Sequence, residues 1–173
     1  ISFQDKHHSF DMKLLLDVDQ VTQRLIFNSL EKKEFFEPEL FHLIMRVLKR
    51  GDRLVDVGAH VGFFTILAAH KVGPAGKVIS IEPIEENQTC LEDHIQLNEL
   101  ENIVLFKGVV ADADGAGSIF FNSDNDGGHA LWDPGLHPFN EKSKDNKIEI
   151  SVPSRKLSSL TEWRKTTSAT PKS

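Results

Sequence analysis

Between residues 54 and 106 the chain alternates short apolar runs with amphipathic ones, and the first changeover is a glycine turn. Leu54, Val55, Asp56 and Val57 read as a strand. The run Asp56-Val57-Gly58-Ala59-His60-Val61-Gly62 carries the turn, and residues 63–71 follow as a helix. Gly73-Pro74-Ala75-Gly76 breaks that helix, and Val78-Ile79-Ser80-Ile81 is a second strand. Residues 85–97 form a second helix expected to bury Cys90, Leu91 and Ile95, and Ile103-Val104-Leu105-Phe106 is a third strand. Strand–helix–strand–helix–strand with short connections implies a parallel sheet with right-handed crossovers. The strands are apolar throughout, which suits burial on both faces. The expected class is therefore α/β.

The flanks are less regular. Residues 10–18 read as an extended segment, and a polar stretch follows. Phe35-Phe36-Glu37-Pro38 opens a helix, because proline in the first turn gives up no hydrogen bond. Leu40, Leu43, Ile44, Val47 and Leu48 recur at helical spacing as one apolar face. Lys49-Arg50-Gly51 ends it, with cations at its negative end and glycine beyond. Downstream, residues 113–117 read as a turn, 118–121 as a strand, and 122–147 as a long loop rich in Asn, Asp, Gly, Lys and Pro. Residues 147–152 alternate as a strand does, and Leu157, Leu160 and Trp163 suggest a short helix. At 173 residues the chain is one domain by size. Residues 1–50 are the extended segment and lead-in helix, 51–163 the core, and 164–173 a polar tail expected to be disordered.

Charge and composition narrow the function classes. The net charge is −6 and Lys and Arg are scattered, which argues against a nucleic-acid binder acting by general attraction. With one cysteine, Cys90, neither an intrachain disulfide nor a cysteine metal cluster can form. That fits a reducing compartment, and a cytoplasmic location is expected. No apolar run approaches the roughly 20 residues that span a bilayer, so no membrane partner is expected. No signal peptide is visible, and the chain opens at Ile1, so the native start is expected upstream. Asn87-Gln88-Thr89 matches a glycosylation sequon inside a predicted helix and is read as chance.

A glycine turn between strand and helix is an anion site, because the helix start offers unpaired N–H groups and partial positive charge. Gly58 and Gly62 let backbone approach a ligand closely. A dinucleotide loop requires G-x-G-x-x-G, and G-A-H-V-G does not have that spacing. Asp56 would also sit badly beside a pyrophosphate. It suits S-adenosylmethionine (SAM), whose ammonium and sulfonium are positive, while loop N–H groups take the methionine carboxylate. Glu82 ends the second strand and can accept both ribose hydroxyls. Pro83 and Ile84 can line an adenine slot, with Gly108 and Val109 opposite. Singly, Asp56 also fits a helix cap or a buried paired carboxylate, and Glu82 a surface residue. In this order, each at the carboxyl end of a parallel strand, they point to SAM.

These residues resemble the FkbM family of methyltransferases. The resemblance rests on residues 56–65, on Ile81-Glu82-Pro83, on Leu97-Asn98, on residues 109–115, and upstream on Phe36-Glu37-Pro38 with Gly51-Asp52; it covers about residues 35–160. It implies a Rossmann-like class I methyltransferase sheet: a β-α-β-α-β core followed by antiparallel or edge strands. It also implies SAM-dependent transfer to a hydroxyl of a sugar or small natural product. The cofactor residues are then expected at Asp56, Gly58, Ala59, His60, Gly62, Thr65, Glu82, Pro83, Gly108 and Val109. His60 stands where the family often has Asn, and both can donate a hydrogen bond. Family members continue past residues 157–160 into a strand resembling K-I-D-V-E-G and the rest of the sheet. This sequence stops at Ser173 without it, so the C-terminal half of the usual sheet is expected to be missing.

A hydroxyl nucleophile must lose its proton, and the sequence identifies no base. His129 and Asp126 lie in the long loop and read as solvated. Asn122, Asp124, Asp126, Gly127 and Asp133 fall at EF-hand positions 1, 3, 5, 6 and 12, but the set reads as an Asx-rich turn and no metal is expected. His7, His8, His70, His94 and His137 have no ligand spacing. Trp132, with Pro134 and Pro138, is expected to anchor the loop. Two competing readings are a nicotinamide-dependent oxidoreductase half-domain and a non-catalytic SAM-binding fragment that dimerises through an exposed sheet edge.

Overall fold

A computed structural model describes residues 2–4 and 9–161. The expectations for His7, His8, Trp163 and the tail lie outside the described residues. The elements are β1 (Ser2–Gln4), β2 (Ser9–Asp11), α1 (Val21–Glu31), α2 (Pro38–Val47), β3 (Arg53–Val57), α3 (Phe63–Val72), β4 (Lys77–Glu82), α4 (Glu85–Leu97), β5 (Ile103–Lys107), β6 (Val109–Val110), β7 (Gly115–Phe121), a 3-10 turn at Pro134–Leu136, α5 (Glu141–Asp145), β8 (Ile148–Arg155) and α6 (Leu157–Thr161).

The predicted α/β core is present. β3, β4 and β5 form a parallel sheet in that order, with Val55 opposite Ile79 and Ile79 opposite Val104. The middle strand is buried from Val78 to Glu82, whereas the outer strands keep Val57 and Val104 partly in solvent. A second, mixed sheet has the order β6-β8-β7, with β6 parallel and β7 antiparallel to β8. The two sheets meet at Gly108. A Cβ there would lie 2.2 Å from the Pro153 carbonyl oxygen, so only glycine lets β8 approach.

Three local expectations differ from the structure. The polar stretch after residue 18 is helix α1; its buried residues are Ile26 and Gln23, whose amide oxygen accepts the Asp17 N–H at 2.9 Å. A satisfied glutamine can be buried, so polarity concealed the element. On α2 the buried stripe is Phe41 and Ile44, with Met45 and Leu48 partly covered, while Leu40, Leu43 and Val47 face solvent. Phe41 decides the rotation, stacking on Phe35 with ring centres 3.9 Å apart. Residues 115–117 are strand rather than turn. Gly115 pairs with Ser154 and Gly117 with Val152, and a Cβ on Gly117 would meet Val109 at 3.2 Å.

The extended segment after β2 runs along one face of α4. His94 and Asn98, four residues apart on that helix, hold it through backbone groups. Asn98 accepts the Lys13 N–H at 2.8 Å and donates to the Lys13 carbonyl at 2.7 Å. His94 is fully buried; its Nδ1 lies 2.7 Å from the Val61 carbonyl and its Nε2 2.8 Å from the Leu15 N. A carbonyl only accepts, so Nδ1–H donates to Val61, while Nε2 also lies 2.8 Å from the Leu15 carbonyl and so faces both backbone groups of that residue. Of the residues expected to be buried on α4, Leu91 is buried fully and Cys90 and Ile95 only in part. No described helix is long and apolar enough to cross a membrane.

Candidate cofactor site

The loop after β3 is held by its own amides. Gly58, His60 and Gly62 all have positive φ, at +80°, +52° and +88°. Gly58 N–H and Ala59 N–H both donate to the Ile81 carbonyl, His60 N–H donates to Glu82 Oε2 at 2.8 Å, and Gly62 N–H to the Ala59 carbonyl. Gly62 is further constrained because an added Cβ would lie 2.2 Å from Leu91 Cδ1. The sequence expectation was that loop N–H groups meet a ligand carboxylate. In the structure three of these lock the loop onto the end of β4, and the Gly62 N–H closes the loop on itself.

Glu82 is 4% exposed. Its carboxylate accepts from His60 N–H, from Ile84 N–H at 3.0 Å and from Asn87 Nδ2 at 3.3 Å. Burial raises its pKa; the bonds from Ile84, His60 and Asn87 and the nearby His60 oppose this without cancelling it. Its backbone carbonyl is held by Gln88 Nε2 and by Gly108 N–H. Glu82 thus ties the ends of β4 and β5 and the glycine loop to one point.

A cavity of about 250 Å³ opens at this point. Gly58, His60, Glu82, Pro83, Gly108 and Val109 line it, and Asp126 and His129 from the long loop face them. Asp56, Ala59, Gly62 and Thr65 are not in its lining. Asp56 accepts the Thr65 hydroxyl at 2.5 Å, and Thr65 in turn lies 2.8 Å from the Ser80 hydroxyl. Burial raises the Asp56 pKa against the lowering effect of Thr65. Asp56 and Thr65 therefore sit beneath the loop, pinning α3 to β3 and β4.

A larger cavity of about 970 Å³ adjoins the first, between the segment around residues 15–23, the start of α4 and the loop at residues 121–126. Asn87, Asp126 and His129 line both. Asn87, read from sequence only as a sequon, is a buried residue that joins Glu82 to the Asp126 carbonyl. Its place in the first turn of α4, just after the strand-ending glutamate, is the one sequence signal that could have found it. Asp126 had none. Its partner His60 is 66 residues away, with Nε2 3.0 Å from Asp126 Oδ2.

The long loop is more structured than its composition suggests. Ala130 bridges Phe120, and Asp124 accepts from Ser143 N–H, Ser143 Oγ and Lys142 N–H. The calcium-like residues are committed to protein partners. Asn122 serves Asp124, Asn125 and Ser143, while Asp133 holds Gly135 N–H and Lys147. Trp132 is 56% exposed, so it does not anchor the loop as expected. The Cys90 thiol, in the wall of the larger cavity, is pushed up to about 11 by burial and by Asp93 and Asp17. It is a packing group, not a nucleophile.

Asp126 is an acid-sensitive tie. Burial pushes its carboxyl up, but bonds from His60 and from Thr22 N–H at 2.6 Å outweigh this and hold it at about 2. Its unfolded value is about 3.9. The stability it contributes is therefore present above pH 4 and lost as pH falls towards 2. The difference in urea midpoint between wild type and Asp126→Asn should shrink across that interval. A constant difference would remove the tie.

Fold and site define a Rossmann-like α/β domain with its cavity outside the carboxyl ends of parallel strands. The chain belongs to the Vibrio cholerae RfbT protein family, whose model matches residues 20–169. It is 32% identical over 72 residues to ribosomal protein L11 methyltransferase of Acetivibrio thermocellus, covering 42% of this chain and 22% of that protein. Among solved structures it is similar to a SAM-dependent methyltransferase from Aquifex aeolicus, at 30% identity over 42% of this chain and 38% of the other, with a TM-score of 0.36. A SAM-dependent O-methyltransferase from Thermotoga maritima matches at 20% identity over 59% and 51%, with a TM-score of 0.39. The chain thus spans 22% of the length of that curated relative.

Proposed function

We propose that this domain binds SAM between the glycine loop and Glu82, and that the protein carrying it transfers a methyl group to a hydroxyl of a sugar or small natural product. The observation that carries the reading is the convergence of Gly58, His60, Glu82, Pro83, Gly108 and Val109 on one cavity. The ends of β3, β4 and β5 meet there. Membership of the RfbT family, the methyltransferase names of the relatives and the FkbM resemblance of the motifs all support it.

The residues present fit the cofactor. Gly58 and Gly108 offer bare backbone, and Pro83 and Val109 offer apolar walls for a base. A carboxylate has about four acceptor positions, and protein donors occupy three on Glu82. One ribose hydroxyl fits directly. A second requires one donor to let go, and Asn87, at 3.3 Å, is the longest of the three. The carboxylates lining the cavity are Glu82 and Asp126, which keeps the site complementary to a cationic ligand. When bound, SAM supplies an electrophilic methyl on a sulfonium, and the protein's part is positioning and proton removal.

Calorimetry decides between the readings. S-adenosylhomocysteine should bind with micromolar affinity and NAD should not. The reverse result would establish the oxidoreductase alternative. Binding without transfer to any hydroxyl would leave a non-catalytic SAM-binding domain.

A further inference from the structure

His60 and Asp126 form a pair facing the smaller cavity, with side chains 16% and 9% exposed. An ionised carboxylate can only accept, so His60 Nε2 carries the hydrogen between them, and in the neutral ring Nδ1 has the lone pair. Within the described residues Nδ1 has no hydrogen-bond partner. Asp126 is ionised across the physiological range for the reasons given above. This is the arrangement of a base held in one tautomer by a carboxylate.

The neighbouring candidates lack it. His129 also lines both cavities, but its Nδ1 accepts the Asn122 N–H at 3.0 Å. Its Nε2 therefore carries the hydrogen in the neutral ring, and burial keeps the ring neutral. It can donate to an acceptor oxygen and cannot take its proton. Asp126 is itself too acidic to hold that proton, and Thr22 N–H already occupies its Oδ1. Glu82 is committed to three donors.

We propose that His60 Nδ1 is the base that takes the acceptor hydroxyl's proton, with Asp126 as the positioning residue that sets its tautomer; this rests on the methyltransferase reading above. In the step, the acceptor oxygen bonds to the methyl carbon and the carbon–sulfur bond breaks with its electron pair staying on sulfur. The hydroxyl proton goes to His60 Nδ1, and Asp126 neutralises the imidazolium that results. The acceptor approaches from the larger cavity, across the wall formed by Asn87, Asp126 and His129.

The test compares the full chain with His60→Asn, Asp126→Asn and Asp126→Glu. Asparagine tolerates the left-handed backbone of residue 60 and keeps its N–H on Glu82. The first readout is S-adenosylhomocysteine binding by calorimetry; the second is the His60 tautomer by ¹⁵N NMR. The third is SAM turnover with glycerol and methyl glycosides as acceptors. His60→Asn should still bind S-adenosylhomocysteine, losing far less in affinity than the roughly 10²–10³ it loses in kcat. Asp126→Asn should lose the Nε2–H preference and about tenfold or more in kcat, and Asp126→Glu should recover part of both. Equal turnover in wild type and His60→Asn, none in either included, overturns the proposal. So does an unchanged tautomer in Asp126→Asn. Failure of wild type to bind S-adenosylhomocysteine overturns the methyltransferase reading instead.

Discussion

Glu82→Gln should weaken S-adenosylhomocysteine roughly 10- to 100-fold and destabilise the fold by about 1–3 kcal/mol. The carboxylate serves two buried backbone donors, His60 N–H and Ile84 N–H, and the Asn87 amide. A glutamine has one acceptor oxygen and one donor nitrogen, so it satisfies one backbone N–H and turns a donor towards the other. A buried donor left unpaired costs about 1–3 kcal/mol. The affinity loss has a separate origin: a charge-assisted bond to a ribose hydroxyl is worth about 1.5–3 kcal/mol, roughly one to two decades in Kd. The pH dependence has a definite sign. Burial holds the folded carboxyl above its unfolded value. Its ionisation cost is thus absent below the unfolded value and complete above the folded one. Wild type should lose part of its advantage over Glu82→Gln as pH rises from about 4. Calorimetry on both proteins, paired with urea melts at several pH values, reads both effects. Unchanged affinity would take Glu82 out of the cofactor site.

His94→Ala should cost about 4 kcal/mol, or roughly 8–16 °C in Tm for a domain of this size. Its side chain connects three segments from a fully buried position. His94 holds Val61 in the glycine loop and Leu15 in the N-terminal segment, and itself belongs to α4. Truncation leaves a cavity and orphans a carbonyl and an N–H. Because Val61 lies within the glycine loop, S-adenosylhomocysteine affinity should fall as well. A loss below about 1 kcal/mol would mean that the other ties of the N-terminal segment, Asn98 and Gln23 among them, hold it without His94.

Much of this was legible in the sequence, and the reasons differ by region. Between residues 53 and 107, apolar runs, glycine breaks and helix stops all agree, and the elements lie within a residue or two of expectation. There each local preference matches the global fold. Glu82 was legible because a strand-ending carboxylate one βαβ unit after a glycine loop has few other uses. Asp56 was legible as a buried paired carboxylate, though its partner Thr65 was not. Its charge suggested a cationic ligand, whereas its Oδ2 is taken by Thr65 below the loop. α1 escaped because its buried face includes a glutamine, and the long loop because its order comes from Asp124 and Ser143 rather than from any periodicity.

The sequence alone determined the parallel α/β core, the position of the glycine turn and the carboxylate that ends β4. These depend on local spacing and on the short connections that spacing enforces. The pairing of His60 with Asp126, the rotation of α2 and the double use of Asn87 were decided only by tertiary structure. They join residues far apart in the chain, or choose between faces of similar polarity, and burial decides such contacts only once the layers have packed. The glycine turn was readable as a turn at the carboxyl ends of the parallel strands. Which of its groups remain available to a ligand was not, because its own amides and Glu82 compete for the same bonds.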